Sequence, residues 1–545
     1  MRRLARWAAG LRLEQVPERV RAQAVHQVLS TLAAVYSGWE SDLGEPLERA
    51  FPPPAPGPAK VVPTGAAASP AHAALLMASW SMVLDFDDVM LGGHTGHSSV
   101  LVPLAMAGGG GHSGAELLLA QITANEVAAR INMVCAVGST RGQMAAHLHL
   151  LAAAAARAKL EALDEETFAA ALGFALSYPA QALVPAFLGS DAKALCAAWP
   201  IRVGLEAVDA VRAGLAAPAD VLDDPRGFFA TACRFPVREF LGGLGERWHT
   251  ETNSFKIYPV CGYLCAAIDA TLDLVRRHSV QPAEVAAVDV WASLFTVGMD
   301  AHSAPYLDGP RSRIATLTFS TPFTVASAIL AGELGPAQLK RAWIEDPRVW
   351  RLAARVRSRH DAGLTLAALT ADIPLGAALK RTRRRQAAAF GWGLAGKAFG
   401  PRGRWRRPWQ TLRLVAGLAA AAGERRPLDL PHSTKPLGAR VAIRLVDGRV
   451  LRSSVAIARG FAGAEGGGAD GAGAAGADRR GVRRLMREKL TAAAGAVIGP
   501  ARADEVAGLI EGLERLPAAG VERLLELACS ARPARSVAGP AVDNR

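Results

Sequence analysis

Three carboxylates and two imidazoles lie close together in one stretch, Leu84-Asp85-Phe86-Asp87-Asp88 followed by Gly93-His94-Thr95-Gly96-His97-Ser98-Ser99. These side chains can donate and accept protons and hold charged ligands, and burying them without partners is costly. A cluster of this kind at the end of a core helix normally has a use. Its residues alone leave three readings open. Asp85, His94 and His97 could be acid–base groups; Asp87 and Asp88 could cap a turn while the histidines are satisfied core groups; or the three aspartates could chelate magnesium, with His94 and His97 holding a transition metal. The metal reading, in the style of all-helical isoprenoid synthases, needs a second acidic motif on another helix, and the sequence contains none.

The elements that must position this cluster read as helix after helix over roughly the first 215 residues. Pro17 stands at a helix start, Val20, Ala24, Val28, Leu32 and Val35 share one face, and Gly38 is expected to end the element. Ser69-Pro70 opens a second helix that runs into Asp85. Ser113 and Glu116 form a capping box for a third. An alanine-rich helix over residues 145–160 and one capped by Asp164 follow. After about residue 252 the period changes. Val285, Val288, Val290 and Trp291 suggest a strand, and Val441, Ile443 and Leu445, then Asp447-Gly448, then Val450 and Leu451 suggest a hairpin. The run over 462–477 has linker composition, and 482–527 returns to helical spacing, so the C-terminal end is expected to pack back on the first part. The expected fold is mainly α with a smaller α+β domain. Its parts are 1–252 all-helical, 253–458 an α+β lid with a basic insertion at about 376–432, 459–480 a Gly/Ala linker, and 481–545 helices that complete the helical domain.

A chain of 545 residues, 50% apolar and 20% charged, is globular and long enough for several cores. Six scattered cysteines point to a reduced, cytoplasmic protein rather than a disulfide framework. The basic N-terminus is interrupted too early by Arg12, Glu14 and Glu18 for a signal peptide, and no membrane span is expected. The net charge of +13 is local, because residues 380–413 carry eleven Lys and Arg and no acid. That stretch could hold RNA or an anionic surface, but without a stacking-plus-basic module it reads as a solvated insertion, which makes nucleic acid an unlikely partner.

The order and spacing of these motifs resemble the MmgE/PrpD superfamily, that of 2-methylcitrate dehydratase and cis-aconitate decarboxylase. The resemblance runs through residues 4–38, the Asp85 motif, 97–103, 113–130, 193–204, Lys256-Ile257-Tyr258-Pro259, 319–330 and 441–451. It implies a helical domain made from both chain ends, an α+β lid, a homodimer, no cofactor, and elimination or decarboxylation of a small polycarboxylate between the domains. Such chemistry needs cations for carboxylates, a base for the proton alpha to one of them, and an acid for the departing group. Matched residue by residue, the resemblance places Asp85, His97 or His94, Lys193, Lys256 and Tyr306 at the active site, with Arg141, Gln143 and Cys261 lining the substrate.

This chain departs from the family at three of these positions. Gln143 stands where many members have a histidine, Cys261 where some have another, and Val89 where a threonine is common. Glutamine binds but does not exchange a proton near neutral pH, which implies a changed substrate or reaction. His147 and His149 could substitute or could be core groups. The leading function is a cofactor-independent lyase on a polycarboxylate. The alternatives are an isomerase or epimerase using the same proton abstraction, a metal-dependent enzyme, and a non-catalytic relative whose basic insertion binds a partner.

Overall fold

The computed structural model describes the chain apart from residues 110, 139–141, 144–145, 219, 400–407, 424–428, 465–473 and 531–545, and apart from the side chains of 142–143, 395–399, 408, 410 and 474–480. Helix α1 (Glu18–Trp39) starts directly after Pro17, with Glu18 in the first turn where the helix dipole favours an acid. From Val28 onward every residue of α1 is buried, so the helix is core on all sides. Helix α2 (Pro70–Val83) is capped by the Ser69 hydroxyl, which accepts from the His72 amide at 3.3 Å, and is buried from Ala73 to its end. The two helices meet at Gly38, where a Cβ would lie 1.8 Å from the Trp80 carbonyl oxygen. By its place after the apolar run, Gly38 is expected to end the helix. The helix instead continues through it to Trp39, and the glycine is there because only a bare Cα lets α1 and α2 approach so closely.

Helix α3 (Gly114–Val134) begins at the expected capping box, with the Ser113 amide donating to Glu116 at 2.7 Å. Against it packs α4 (Ala146–Leu160), and against α4 packs α5 (Leu195–Arg212). The run Ala152–Ala156 is fully buried, and its small side chains let neighbouring backbones draw in: a Cβ on Gly204 would lie 2.4 Å from the Leu150 carbonyl oxygen.

A second apolar cluster surrounds α6 (Cys265–His278), α7 (Thr321–Ala331) and a four-stranded sheet. The sheet consists of β1 (Val285–Ala292), β2 (Val356–His360), β3 (Ala439–Leu445) and β4 (Val450–Val455), in the order β4-β3-β1-β2, with β1 and β2 parallel and the other pairs antiparallel. The β3–β4 hairpin turns at Asp447-Gly448, where Gly448 takes the left-handed φ of 90° that a tight turn requires. The architecture is therefore mainly α with a smaller α+β portion.

The chain end returns to the helical part. Helix α8 (Ala474–Ile498) lies along α1, burying Met486, Leu490 and Ala494 in the same cluster, and α9 (Pro500–Glu511) follows it. The Gly/Ala-rich stretch is only partly linker-like. Phe461 is buried, the Gly460 carbonyl accepts from the Phe255 amide at 2.8 Å, and α8 starts at Ala474. In the basic stretch, Arg384–Phe399 and Pro408–Ala421 form helices that pack together, and Arg404-Trp405-Arg406-Arg407 falls outside the described residues. Among the described residues no single helix is long and apolar enough to cross a membrane.

Candidate functional site

The site is built where α2 runs out. After Val83 the backbone turns sharply, and Asp85 adopts φ 54°, a left-handed conformation that aspartate tolerates better than most side chains. The turn aims Asp85 and Asp87 inward. It also starts the two-residue strand Asp88–Val89, which pairs antiparallel with Ser254–Phe255. That pairing brings Lys256 alongside, its amide donating to the Asp87 carbonyl at 3.1 Å. Lys193 arrives from the opposite side on the one-turn segment Asp191–Ala194, which Ser190 caps by accepting from the Ala192 amide at 3.3 Å.

Two buried ammonium groups bracket Asp85, with Lys193 Nζ 2.9 Å from Oδ1 and Lys256 Nζ donating to Oδ2 at 2.8 Å. Lys256 Nζ also donates to Asp87 Oδ1 at 2.7 Å. The other oxygen of Asp87 receives His94 Nδ1 at 2.6 Å and has His97 Nε2 within ion-pair distance, at 3.1 Å. His97 Nδ1 lies 2.7 Å from the Ser81 hydroxyl on α2. Burial pushes the carboxyl groups of Asp85 and Asp87 up, and the facing ammonium groups of Lys193 and Lys256 at Asp85, and of Lys256 at Asp87, reverse this and hold both well below the usual carboxylate range. Lys256 is correspondingly held above the usual lysine value, because its two carboxylates outweigh its burial.

Asp88 does different work. It faces away from the lysines, accepts from Gln27 Nε2 at 2.9 Å and the Gly96 amide at 3.2 Å, and is pushed up by burial and by neighbouring Asp87. It fastens the turn to α1 and to the short helix Gly96–Ser99 that carries His97.

A small, partly open pocket lies on this cluster. Asp85, Asp87, His94, His97 and His149 line it together with Met82, Ala146, Phe187 and Cys196, so charged and apolar side chains share its lining. Lys193 Nζ lies just behind it, 5.1 Å from the centre of the Phe319 ring and 5.6 Å from that of Phe187, contacts that suit a cation.

The structure brings Asp85, His94, His97, Lys193 and Lys256 together. Tyr306 stands apart: its ring covers Gly189, where a Cβ would lie 2.5 Å from it, and its packing is with the second apolar cluster rather than the pocket. Cys261 is buried, its thiol pushed up to about 12 by burial and by the negative charge of Asp85, and it does not line the pocket. Gln143 pairs through its backbone with Ala182; its side chain and the whole of Arg141 fall outside the described residues. His147 packs on the Phe228 ring, 4.8 Å between centres, whereas His149 faces the pocket.

Two lysines went unnoticed in the sequence. Lys489 on α8 is buried, 2.9 Å from the Ser30 hydroxyl and 2.6 Å from the Phe86 carbonyl, and Lys435 donates to the carbonyls of Val89 and, at 2.7 Å, Thr252. Burial lowers each to about 7. Neither has a local sequence signal, since each reads as an ordinary surface lysine. Among the described residues no group of three His, Cys, Asp or Glu is arranged to hold a metal ion, because Asp85 and Asp87 are turned toward ammonium groups.

Two family models match most of the chain. Residues 2–238 match the MmgE/PrpD N-terminal domain and residues 258–385 the MmgE/PrpD C-terminal domain. The chain is similar to a cis-aconitate decarboxylase of Aspergillus terreus (strain NIH 2624 / FGSC A1156), at 25% identity over 384 residues that cover 66% of this chain and 77% of that protein. A second cis-aconitate decarboxylase of Aspergillus terreus is 26% identical over 297 residues, covering 50% of this chain and 60% of the relative. The site residues Asp85 and Lys193 lie in the first matched domain and the backbone that carries Lys256 leads into the second, so the pairing of the two strands joins them. The chain belongs to the MmgE/PrpD family.

Proposed function

We propose that this chain is a cofactor-independent lyase of the dehydratase or decarboxylase type, resembling 2-methylcitrate dehydratase and acting on a small polycarboxylate in the pocket at Asp85. Membership of the family and similarity to two cis-aconitate decarboxylases support a lyase of this broad kind. The observation that carries the reading is the state of Lys193. Its buried Nζ is within ion-pair distance of Asp85, at 2.9 Å, yet none of its N–H groups is aligned to donate a hydrogen bond there. A buried ammonium with unused donors calls for an acceptor, and a substrate carboxylate entering the pocket supplies one.

In this reading Lys193 and Lys256 hold carboxylates and stabilise the negative charge that develops when the neighbouring carbon loses its proton. His94, oriented by Asp87, exchanges protons with the reacting atoms, and His97 backs the same carboxylate. Asp85 keeps the two lysines apart and aimed. We also take the chain to comprise the helical domain and the α+β lid bounded as given above, and to work as a homodimer. Trp199 and Val203, one turn apart on α5, are both exposed and support a covered face.

Purified protein incubated with 2-methylcitrate, citrate and cis-aconitate, followed by NMR, tests the activity. Loss of water or carbon dioxide is the expected outcome, and a product with the same formula as the substrate would make the enzyme an isomerase. Asp85→Asn is expected to lower turnover by about 10²-fold or more. Unchanged turnover in that variant, or no acceleration with any of these acids, would overturn the proposal.

A further inference from the structure

The lining of the pocket leaves few nitrogen or oxygen atoms free to take a proton. Asp85 is held between two ammonium groups, Asp87 accepts from Lys256 and His94, and His97 has Nδ1 at the Ser81 hydroxyl and Nε2 within ion-pair distance of Asp87, at 3.1 Å. Among the described residues, two lining rings keep a nitrogen with neither a hydrogen bond nor an ion-pair partner: Nε2 of His94 and Nε2 of His149.

These two rings sit in different surroundings. His94 is partly exposed and is oriented by a carboxylate, Asp87. His149 is 2% exposed, lies 5.8 Å from the His97 ring in an edge-on arrangement, and is held only by a hydroxyl, with Nδ1 3.0 Å from Ser98 Oγ. A Ser98 hydroxyl that donates to the Thr95 carbonyl, 3.1 Å away, leaves its oxygen to accept from His149 Nδ1–H, and in that tautomer Nε2 carries the lone pair.

We propose that His149 is a further catalytic residue of this pocket, its Nε2 being the base that removes the proton alpha to a substrate carboxylate. The proposal rests on the polycarboxylate reading above. In the elimination direction the C–H bond breaks and its proton joins Nε2. The electron pair becomes the new carbon–carbon double bond as the adjacent C–O bond breaks, and the oxygen leaves as water with a proton from His94. Burial, with His97 and His94 nearby, keeps His149 well below its ordinary value and hence neutral at rest. The negative charge of a bound polycarboxylate favours the imidazolium that forms only during turnover. Paired titratable groups in unlike environments are the usual arrangement for dividing acid and base roles.

The test uses the full chain labelled with ¹⁵N-histidine and titrated with tricarballylate, a tricarboxylate with no leaving group. Before ligand, His149 is expected to show a proton on Nδ1 and none on Nε2, and its Nε2 resonance is expected to move on binding. His149→Gln is expected to bind tricarballylate within about 2-fold of wild type and to lose about 10²–10⁴-fold in turnover. If wild type does not bind tricarballylate, the polycarboxylate reading falls and this assignment with it. If it binds while His149 resonances stay fixed, or if His149→Gln turns over at the wild-type rate, only the role of His149 is overturned. Should that variant fail to fold, the titration of the wild-type chain decides alone.

Discussion

Replacing Lys256 by methionine keeps most of the side chain's volume and removes one charge from the centre of the site. The ammonium is 0% exposed and donates to Asp85 Oδ2 at 2.8 Å and to Asp87 Oδ1 at 2.7 Å. Removing one partner of a buried ionic cluster leaves the others uncompensated and costs about 3–5 kcal/mol. Asp85 would retain Lys193 at 2.9 Å, and Asp87 would retain His94 and His97. The pH dependence makes the test sharp. In wild type the folded value of Asp85 lies below its unfolded value of 3.8, so its contribution is complete above that pH and is lost only on acidification below it. Without Lys256 the largest remaining influence on Asp85 and Asp87 is burial, which raises them. A raised carboxylate binds its proton more tightly in the folded chain, so the variant recovers stability as pH falls. Urea unfolding of wild type and Lys256→Met at matched pH should show a deficit of about 3–5 kcal/mol near pH 7.5 that narrows toward about pH 5. A deficit under about 1 kcal/mol, or one constant across that range, would refute the claim that buried Asp85 and Asp87 depend on this ammonium.

Lys193→Met should cost less stability than Lys256→Met, because Lys193 faces one carboxylate rather than two, yet should lower kcat/KM for a tricarboxylate by about 10²-fold, read by steady-state kinetics beside urea unfolding. Gly38→Ala drives a methyl group to 1.8 Å from the Trp80 carbonyl oxygen, so α1 and α2 must separate; a loss of about 3 kcal/mol or more is expected in the same unfolding assay. Lys489 has a folded value near 7 against 10.5 unfolded, so the unfolded chain binds the extra proton between those values and wild type gains stability as pH rises through that window. Lys489→Met should flatten that rise, by at most about 1.4 kcal/mol per pH unit, in unfolding curves measured from pH 7 to 10.

The parts of the fold legible in the sequence are those governed by neighbouring residues. Ser69-Pro70 and the Ser113/Glu116 box announce helix starts because the atoms that satisfy the first amides lie within one turn of them. Asp447-Gly448 announces a hairpin because the turn demands a left-handed residue at a known place. Gly38 was misjudged for the complementary reason. A glycine near the end of a periodic run looks like a stop signal, and the carbonyl that forbids a side chain there belongs to Trp80, on another helix.

The same division applies to the site. Asp85, Asp87, His94 and His97 stand out because several costly side chains crowd into one short apolar stretch. Lys193 and Lys256 gained their place only through resemblance to a family, since each is a single lysine whose partners lie more than a hundred residues away. Lys435 and Lys489 had not even that. His147 and His149 show the limit most clearly. Two positions apart on α4, they point in different directions, one onto the Phe228 ring and one into the pocket. Helical spacing says that the two must part company; it does not say which faces the pocket. That depends on where α2 stops, and α2 stops where Asp85 takes a strained turn that the two opposing lysines hold in place.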